Sequence, residues 1–113
     1  MIKRKEQMAH TEKSNMRGGN GTIHGVTVFE QSEVPKTRVY SVMTFRPGDS
    51  IGVHSHTGEG ETYLILEGDA VVTEDGVDYV LHAGDAEYCS DGHTHAIANQ
   101  SDRPMSMLAI VML

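Results

Sequence analysis

From Gly21 onward, hydrophobic and polar residues alternate in short runs that glycine, proline, asparagine and aspartate interrupt. Nine such runs can be read, and they are TIHGVTVFE, TRVYSVMTF, IGVHSH, ETYLILE, AVVTE, VDYVLH, AEYCS, HAIAN and MSMLAIVML. They are rich in the β-branched and aromatic residues that favour strands. Between two of the runs, Asp75-Gly76 is a strong signal for a hairpin turn. The pattern predicts an all-β protein.

The number and length of these runs favour a sandwich or barrel over a parallel α/β sheet. Several runs, such as TYLIL and LAIVML, are apolar on both faces. One face would line an interior, and the other would pack on a second sheet or on a partner subunit; both alternatives stay open. A chain of 113 residues suffices for one hydrophobic core. We therefore expect a single domain.

The start of the chain lacks this strand pattern. Residues 1–16 are mostly polar and form the only segment that could be helical or disordered, and the glycine-rich stretch MRGGNG then interrupts it. We interpret residues 1–20 as a polar N-terminal extension and residues 21–113 as the β domain.

The charge balance bears on the class of partner. Sixteen acidic residues against nine basic ones give a net charge of -7. Nucleic acids and anionic membrane surfaces are therefore disfavoured as partners. The single cysteine, Cys89, excludes an intramolecular disulfide, and no apolar segment follows the basic start as a signal peptide would require. We expect a cytoplasmic protein.

Two pairs of histidines with one residue between them, His54/His56 and His93/His95, suggest a metal site. His54 and His56 are two residues apart on a predicted strand, so their side chains point to the same face. Glu61 opens the next strand, and His95 lies on a later one. If these strands face one interior, three imidazoles and one carboxylate meet there, which is a donor set for divalent first-row metals. Taken singly, each residue has an ordinary surface or core interpretation.

The spacing of these residues resembles the two motifs of the cupin family. The first motif matches at Gly48, His54, His56, Glu61 and Gly68, and the second at Gly84, Gly92, His95 and Asn99. Ser90 stands where the family has proline. The resemblance implies a double-stranded β-helix, also called a jelly-roll barrel, with His54, His56, Glu61 and His95 as metal ligands and Asn99 in a structural role.

The resemblance also implies a range of functions, most closely those of small monocupins that are compared with oxalate decarboxylases. We expect a divalent transition metal (Mn, Fe, Ni or Zn) and a small oxygen-rich or carboxylate substrate. The activity would be that of a dioxygenase or decarboxylase, or less so an isomerase. The alternative is a module that binds a small molecule without turning it over. Small cupins commonly form homodimers, here through the edges of TIHGVTVFE and TRVYSVMTF.

Three residues are candidates for proton transfer at such a site. Tyr63 shares a strand face with Glu61 and is first of all a cavity-lining residue. Glu59 lies between two glycines, where a solvated turn carboxylate is the simpler interpretation. His93 has the same parity as His95, so it faces either the cavity or solvent.

Other residues have structural or binding interpretations. A cation that binds a substrate carboxylate would be Arg38 or Arg46, of which Arg46 is expected to be solvated. The remaining expectations concern the core, which should contain Cys89 and the strand methionines Met43, Met105, Met107 and Met112.

Overall fold

Two antiparallel sheets pack face to face in the computed structural model, which describes residues 1–113. The first sheet has six strands in the order β1-β2-β3-β10-β5-β8, and the second has four in the order β4-β9-β6-β7. The predicted all-β, single-domain jelly roll is confirmed. The strands are β1 (Ala9–Ser14), β2 (Thr22–Thr27), β3 (Thr37–Phe45), β4 (Ser50–Ser55), β5 (Gly60–Glu67), β6 (Asp69–Glu74), β7 (Val77–His82), β8 (Ala86–Cys89), β9 (Thr94–Ala98) and β10 (Met105–Met112).

Strand β1 corrects the prediction for the start of the chain. Residues 9–14, AHTEKS, pair with β2 along its whole length, from Ala9 opposite Thr27 to Ser14 opposite Thr22. The helical or disordered interpretation of residues 1–16 was wrong, because only Lys5–Gln7 and Met16–Gly18 form short 3-10 helices. The strand has no apolar alternation since it lies at a sheet edge, where charged side chains are common. The domain boundary drawn at residue 20 stays a prediction.

The core fills the space between the sheets with alternate residues of their inner faces. Met105 and Met107 are fully buried there, and Met43 packs partly buried against them. Cys89 is also buried, as predicted. Met112 is not a core residue: it is 52 % exposed, because its position on β10 places it with the outward-facing residues.

The hairpin between β6 and β7 confirms the turn prediction. Asp75 and Gly76 have φ angles of 48° and 82° and connect Glu74 to its cross-strand partner Val77. Two consecutive left-handed residues match the right-handed twist of the flanking strands.

Asn99 lies just after β9, and its side chain joins three segments of the chain by hydrogen bonds. Its buried side-chain amide donates to the carbonyl oxygens of Phe45 (3.1 Å) and Arg103 (2.7 Å), and its Oδ1 accepts hydrogen bonds from Ser101. The structural role expected for Asn99 is confirmed.

The prediction that two early strands offer free edges was wrong. Strands β2 and β3 lie inside the six-stranded sheet, and its edges are β1 and β8. No helix has the length and apolar character needed to cross a membrane.

Candidate metal centre

Four side chains from both sheets meet inside the sandwich. His54 and His95 are cross-strand partners on β4 and β9 of the second sheet, while Glu61 reaches in from β5 of the first. His56 follows β4 directly. Each of the four side chains is at most 7 % exposed, and their donor atoms all lie within 4.8 Å of one another. The predicted convergence of these residues is confirmed, and the cluster could hold a metal ion.

The distances between the donor atoms fit a shared ion. Glu61 Oε1 lies 2.9 Å from His56 Nε2, 3.0 Å from His95 Nε2 and 3.5 Å from His54 Nε2. The Nε2 atoms of His56 and His95 are 3.2 Å apart. Ligand atoms about 2.0–2.2 Å from one metal ion lie roughly 3.0–3.5 Å from each other at ordinary coordination angles. The four donors therefore need little rearrangement to accept a divalent ion.

The outer nitrogen of each imidazole has an acceptor of its own. His54 Nδ1 donates to the carbonyl oxygen of Gly52 (2.8 Å), His56 Nδ1 to Glu59 (2.7 Å) and His95 Nδ1 to Glu87 (3.0 Å). Because these acceptors carry no hydrogen, each Nδ1 holds a ring proton, so each Nε2 is the nitrogen that is left to bind a metal ion. Carboxylates that orient metal-binding histidines in this way are a regular feature of protein metal sites.

Three imidazole Nε2 atoms packed around a buried carboxylate require a proton or a metal ion among them. Burial would raise the pKa of Glu61, but hydrogen bonds from His54 and His95 outweigh it and lower that pKa to about 2. Burial opposes charge on His95, yet hydrogen bonds to Glu61 and Glu87 raise its pKa to about 9. A proton thus supplies the charge when no metal does, and metal binding must displace it.

A β-bulge helps to shape the site. The register between β4 and β9 shifts between Ile51 and His54, which leaves Gly52 and Val53 outside regular pairing. The freed carbonyl of Gly52 is the one that accepts from His54. Bulges often re-aim a side chain beside functional sites, and this one orients the His54 ring.

Glu59 is part of the centre's support, and its interpretation as a solvated turn carboxylate was wrong. Its carboxylate binds both Nε (3.1 Å) and Nη2 (2.6 Å) of Arg38 while accepting from His56, and the side chain is only 15 % exposed. The hydrogen bond from Arg38 lowers the pKa of Glu59. The side chain is therefore an ionised acceptor that orients His56.

Tyr63 lies flat against the centre. Its ring stacks on His95 with centroids 4.5 Å apart and planes 8° from parallel. The residue is buried and lines the cavity beside the cluster, as predicted. Burial, and next the charge of Glu61, raise the pKa of the Tyr63 hydroxyl well above its ordinary value, so it stays protonated.

The remaining candidates lie away from the cluster. His93 is exposed, and its Nδ1 is 2.6 Å from Asp75 on the β6–β7 turn. Arg46 is 72 % exposed and contacts Asp49, as expected of a solvated residue. Arg38, by contrast, lines the cavity.

Glu87 is the supporting residue that sequence reasoning missed. The alternation of Glu87 and Cys89 in AEYCS was the available signal, but only the pairing of β8 with β5 places Glu87 opposite Tyr63 and next to His95. Glu87, Cys89 and His95 also form a second group of possible ligand atoms. Burial raises the pKa of the Cys89 thiol to about 11, so it is a poor ligand there.

A cavity of about 320 Å³ adjoins the cluster. Three cluster residues, His54, His56 and Glu61, contribute to its wall. Residues of β1, β2 and β3 contribute as well. Lys13 of β1 and Arg17 of the following 3-10 helix belong to this wall. Neither residue was singled out from the sequence, because the segment was not predicted to join the sheet.

Comparisons with known proteins agree with the fold. The model of the cupin domain family matches residues 41–111. The chain is 33 % identical to an oxalate-binding protein of Thermotoga maritima over all of this chain and 94 % of that one. It is 30 % identical over 91 % of its length to a β-D-galactosidase of Mycobacterium tuberculosis, of which it covers 80 %.

Among solved structures, a predicted oxalate decarboxylase of Thermotoga maritima superposes with a TM-score of 0.94 at 33 % identity, covering 100 % of this chain and 99 % of that one. The family match extends over most of the chain and includes all four residues of the buried His–Glu cluster. The chain therefore belongs to the cupin family.

Proposed function

We propose that this protein binds one divalent transition metal through His54, His56, Glu61 and His95, and that the loaded site binds a small carboxylate. The observation that carries the proposal is the convergence of three imidazole Nε2 atoms on one buried, ionised carboxylate. The similarity to an oxalate-binding protein makes oxalate the first ligand to test.

The donor set is consistent with several metals. Three imidazoles and one carboxylate suit Mn, Fe, Ni and Zn, so the ligands alone do not select one. The bound ion would supply a Lewis acid to which carboxylate oxygens of the ligand attach. The chain's own residues hold the imidazole tautomers through Glu59, Glu87 and Gly52, and the stacked Tyr63 ring covers one face of His95.

Binding without turnover is the function that the surrounding residues support best. General acid–base catalysis needs a titratable group that can reach the ligand. Glu59 is engaged by Arg38 and His56, His93 pairs with Asp75 at the surface, and Tyr63 has a raised pKa. We therefore propose that Glu59 orients His56, that Tyr63 packs on His95, and that none of the three residues transfers a proton.

A metal-dependent enzyme of dioxygenase or decarboxylase type is the second candidate. The observation in its favour is the similarity to a protein described as a predicted oxalate decarboxylase, with which the whole chain superposes. The two candidates differ in one measurable respect, which is whether a bound carboxylate is consumed.

Oxalate binding should depend on the metal. We expect calorimetric titration of oxalate into manganese-loaded protein to give one binding event per chain, and no binding to protein stripped with a chelator, because the carboxylate oxygens attach at the metal. Formate or carbon dioxide released during incubation would establish the enzymatic alternative. Loaded protein that leaves oxalate both unbound and unchanged would contradict the proposal.

We also propose that the protein forms a homodimer through the outer face of its six-stranded sheet. One apolar row crosses five strands of this face at cross-strand positions, and it consists of Val26, Val42, Leu108, Leu64 and Ala86. The adjacent row contains Tyr40, Ile110, Thr62 and Tyr88, so neither row includes a charge. An uncharged, apolar patch of this breadth is typical of a subunit interface.

Light scattering tests the dimer directly. We expect a mass near twice the 12.3 kDa of one chain, and a Leu108→Glu variant should shift the mass to that of the monomer because it buries an unpaired charge in the interface. A wild-type mass near 12.3 kDa would contradict the dimer.

A further inference from the structure

The cavity beside the cluster is larger than the smallest dicarboxylate requires. Its volume of about 320 Å³ corresponds to roughly ten water molecules at about 30 Å³ each. Oxalate attached at the cluster would leave most of this space to solvent. Pockets of this volume lie at the lower end of the range that encloses larger organic ligands.

Two free cations belong to the wall contributed by the start of the chain. Lys13 shares the inward-facing parity of β1 with Thr11, another cavity residue, and Arg17 follows in the second 3-10 helix. Neither side chain makes an ion pair or hydrogen bond within the protein, whereas Arg38 is neutralised by Glu59. Outside the cluster, Glu30 is the one carboxylate of the cavity wall. The two unpaired cations therefore outnumber the carboxylates there.

The position of Arg17 is fixed relative to the cluster. Asn15 and Arg17 both have left-handed backbones, with φ of 53° and 54°, and such conformations persist only where their surroundings enforce them. The enforcement comes from β4: a methyl group on Gly52 would overlap the carbonyl oxygen of Arg17, and one on Gly19 that of Ser50. The 3-10 turn thus packs backbone to backbone on the strand that carries His54.

Apolar side chains also contribute to the cavity wall, beside polar ones such as Thr11 and Ser41. Ile23, Val39 and Met43 line it, and all three belong to the core or pack against it. A ligand that fills the cavity would therefore combine a metal-binding end, a short apolar body and a second end that meets Lys13 and Arg17.

We infer that the ligand of this site is longer than oxalate and carries two anionic ends, one at the His–Glu cluster and the second, a carboxylate or phosphate, at Lys13 and Arg17. This inference rests on the proposed function, because the first end attaches through the metal. The cations act as specificity-determining residues: they favour ligands with the distal charge over ligands of equal length without it.

The test uses matched pairs of acids. 2-Oxoglutarate and 2-oxovalerate share a five-carbon 2-oxo acid skeleton and differ in the distal carboxylate, and 2-oxoadipate and 2-oxohexanoate form the same pair one carbon longer. We expect calorimetry with the manganese-loaded protein to show about tenfold tighter binding of the diacid in at least one pair, a difference of about 1.4 kcal/mol. The K13Q/R17Q double variant should lose this preference while binding the monoacid as the wild type does.

Controls separate this inference from the function on which it rests. Lys36→Gln removes an exposed cation that does not line the cavity, and it should retain the preference for the diacid. Elemental analysis of every variant establishes metal content independently. Loaded wild type that binds both acids of each pair equally overturns the second anionic end alone. Protein that takes up no metal, or that binds none of these acids or oxalate when loaded, overturns the proposed function as well.

Discussion

Replacing His56 by alanine is expected to abolish metal loading. The substitution removes one of four converging donors and also frees Glu59 from its imidazole partner. Wild-type protein reconstituted with manganese should retain about one equivalent after desalting, and His56→Ala close to none, as measured by elemental analysis. Far-UV circular dichroism of the same samples checks that the variant is folded.

Two further variants provide comparisons for the metal content of His56→Ala. Glu87→Gln keeps all four ligands but weakens the acceptor of His95 Nδ1, so we expect a reduction in metal affinity of roughly 10- to 100-fold, which is less than for His56→Ala. His82→Ala removes an exposed imidazole that pairs with Asp69 and should load like the wild type. Equal metal content in the wild type and a folded His56→Ala variant would refute the assignment of His56 as a ligand.

Replacing Gly52 by alanine is expected to destabilise the fold strongly. The added methyl group would overlap the backbone carbonyl of Arg17, and a backbone atom cannot rotate away as a side chain can. Overpacking of this kind costs about 1–3 kcal/mol or more, and a value near 2 kcal/mol corresponds to a Tm lower by roughly 10 °C. Because the Gly52 carbonyl also accepts from His54, the metal affinity should fall as well.

Gly60→Ala is the matched control for this substitution. Its added methyl group would also overlap a neighbour, but that neighbour is the hydroxyl end of Tyr88, the far end of a side chain that can rotate, rather than a backbone atom. Thermal unfolding followed by circular dichroism should show a small shift for Gly60→Ala and a large one for Gly52→Ala. Similar shifts for both would mean that the packing of the 3-10 turn on β4 is not a rigid constraint.

The four cluster residues are recognisable from the order of amino acids alone. Strand alternation places His54 and His56 on one face, and the motif spacing relates them to Glu61 and His95. The Asp-Gly turn signal predicted the hairpin at Asp75-Gly76, and the tendency of strand methionines to fill cores predicted the burial of Met105 and Met107, although not the exposure of Met112. These features can be read from the residue order because each depends on a residue's type and its position in a strand, turn or motif.

The supporting residues could not be found in this way. In the sequence, Glu59 is an ordinary turn residue between two glycines. Its role in orienting His56 depends on the ion pair with Arg38 of β3, which the sequence does not reveal. Glu87 reaches His95 because β8 pairs with β5 at a register that no local pattern encodes. Both roles arise from contacts between strands that are distant in the chain.

Strand β1 shows most clearly which features can be read from the sequence and which depend on the tertiary structure. The sequence alone establishes an all-β chain with a candidate His–Glu metal centre, because strand alternation and the resemblance to the two cupin motifs can both be read without knowing which strands pair. It leaves AHTEKS without a strand signal, since an edge strand is held by backbone hydrogen bonds to its neighbour rather than by a buried apolar face. The tertiary structure alone therefore places Lys13 and Arg17 on the wall of the cavity beside the cluster.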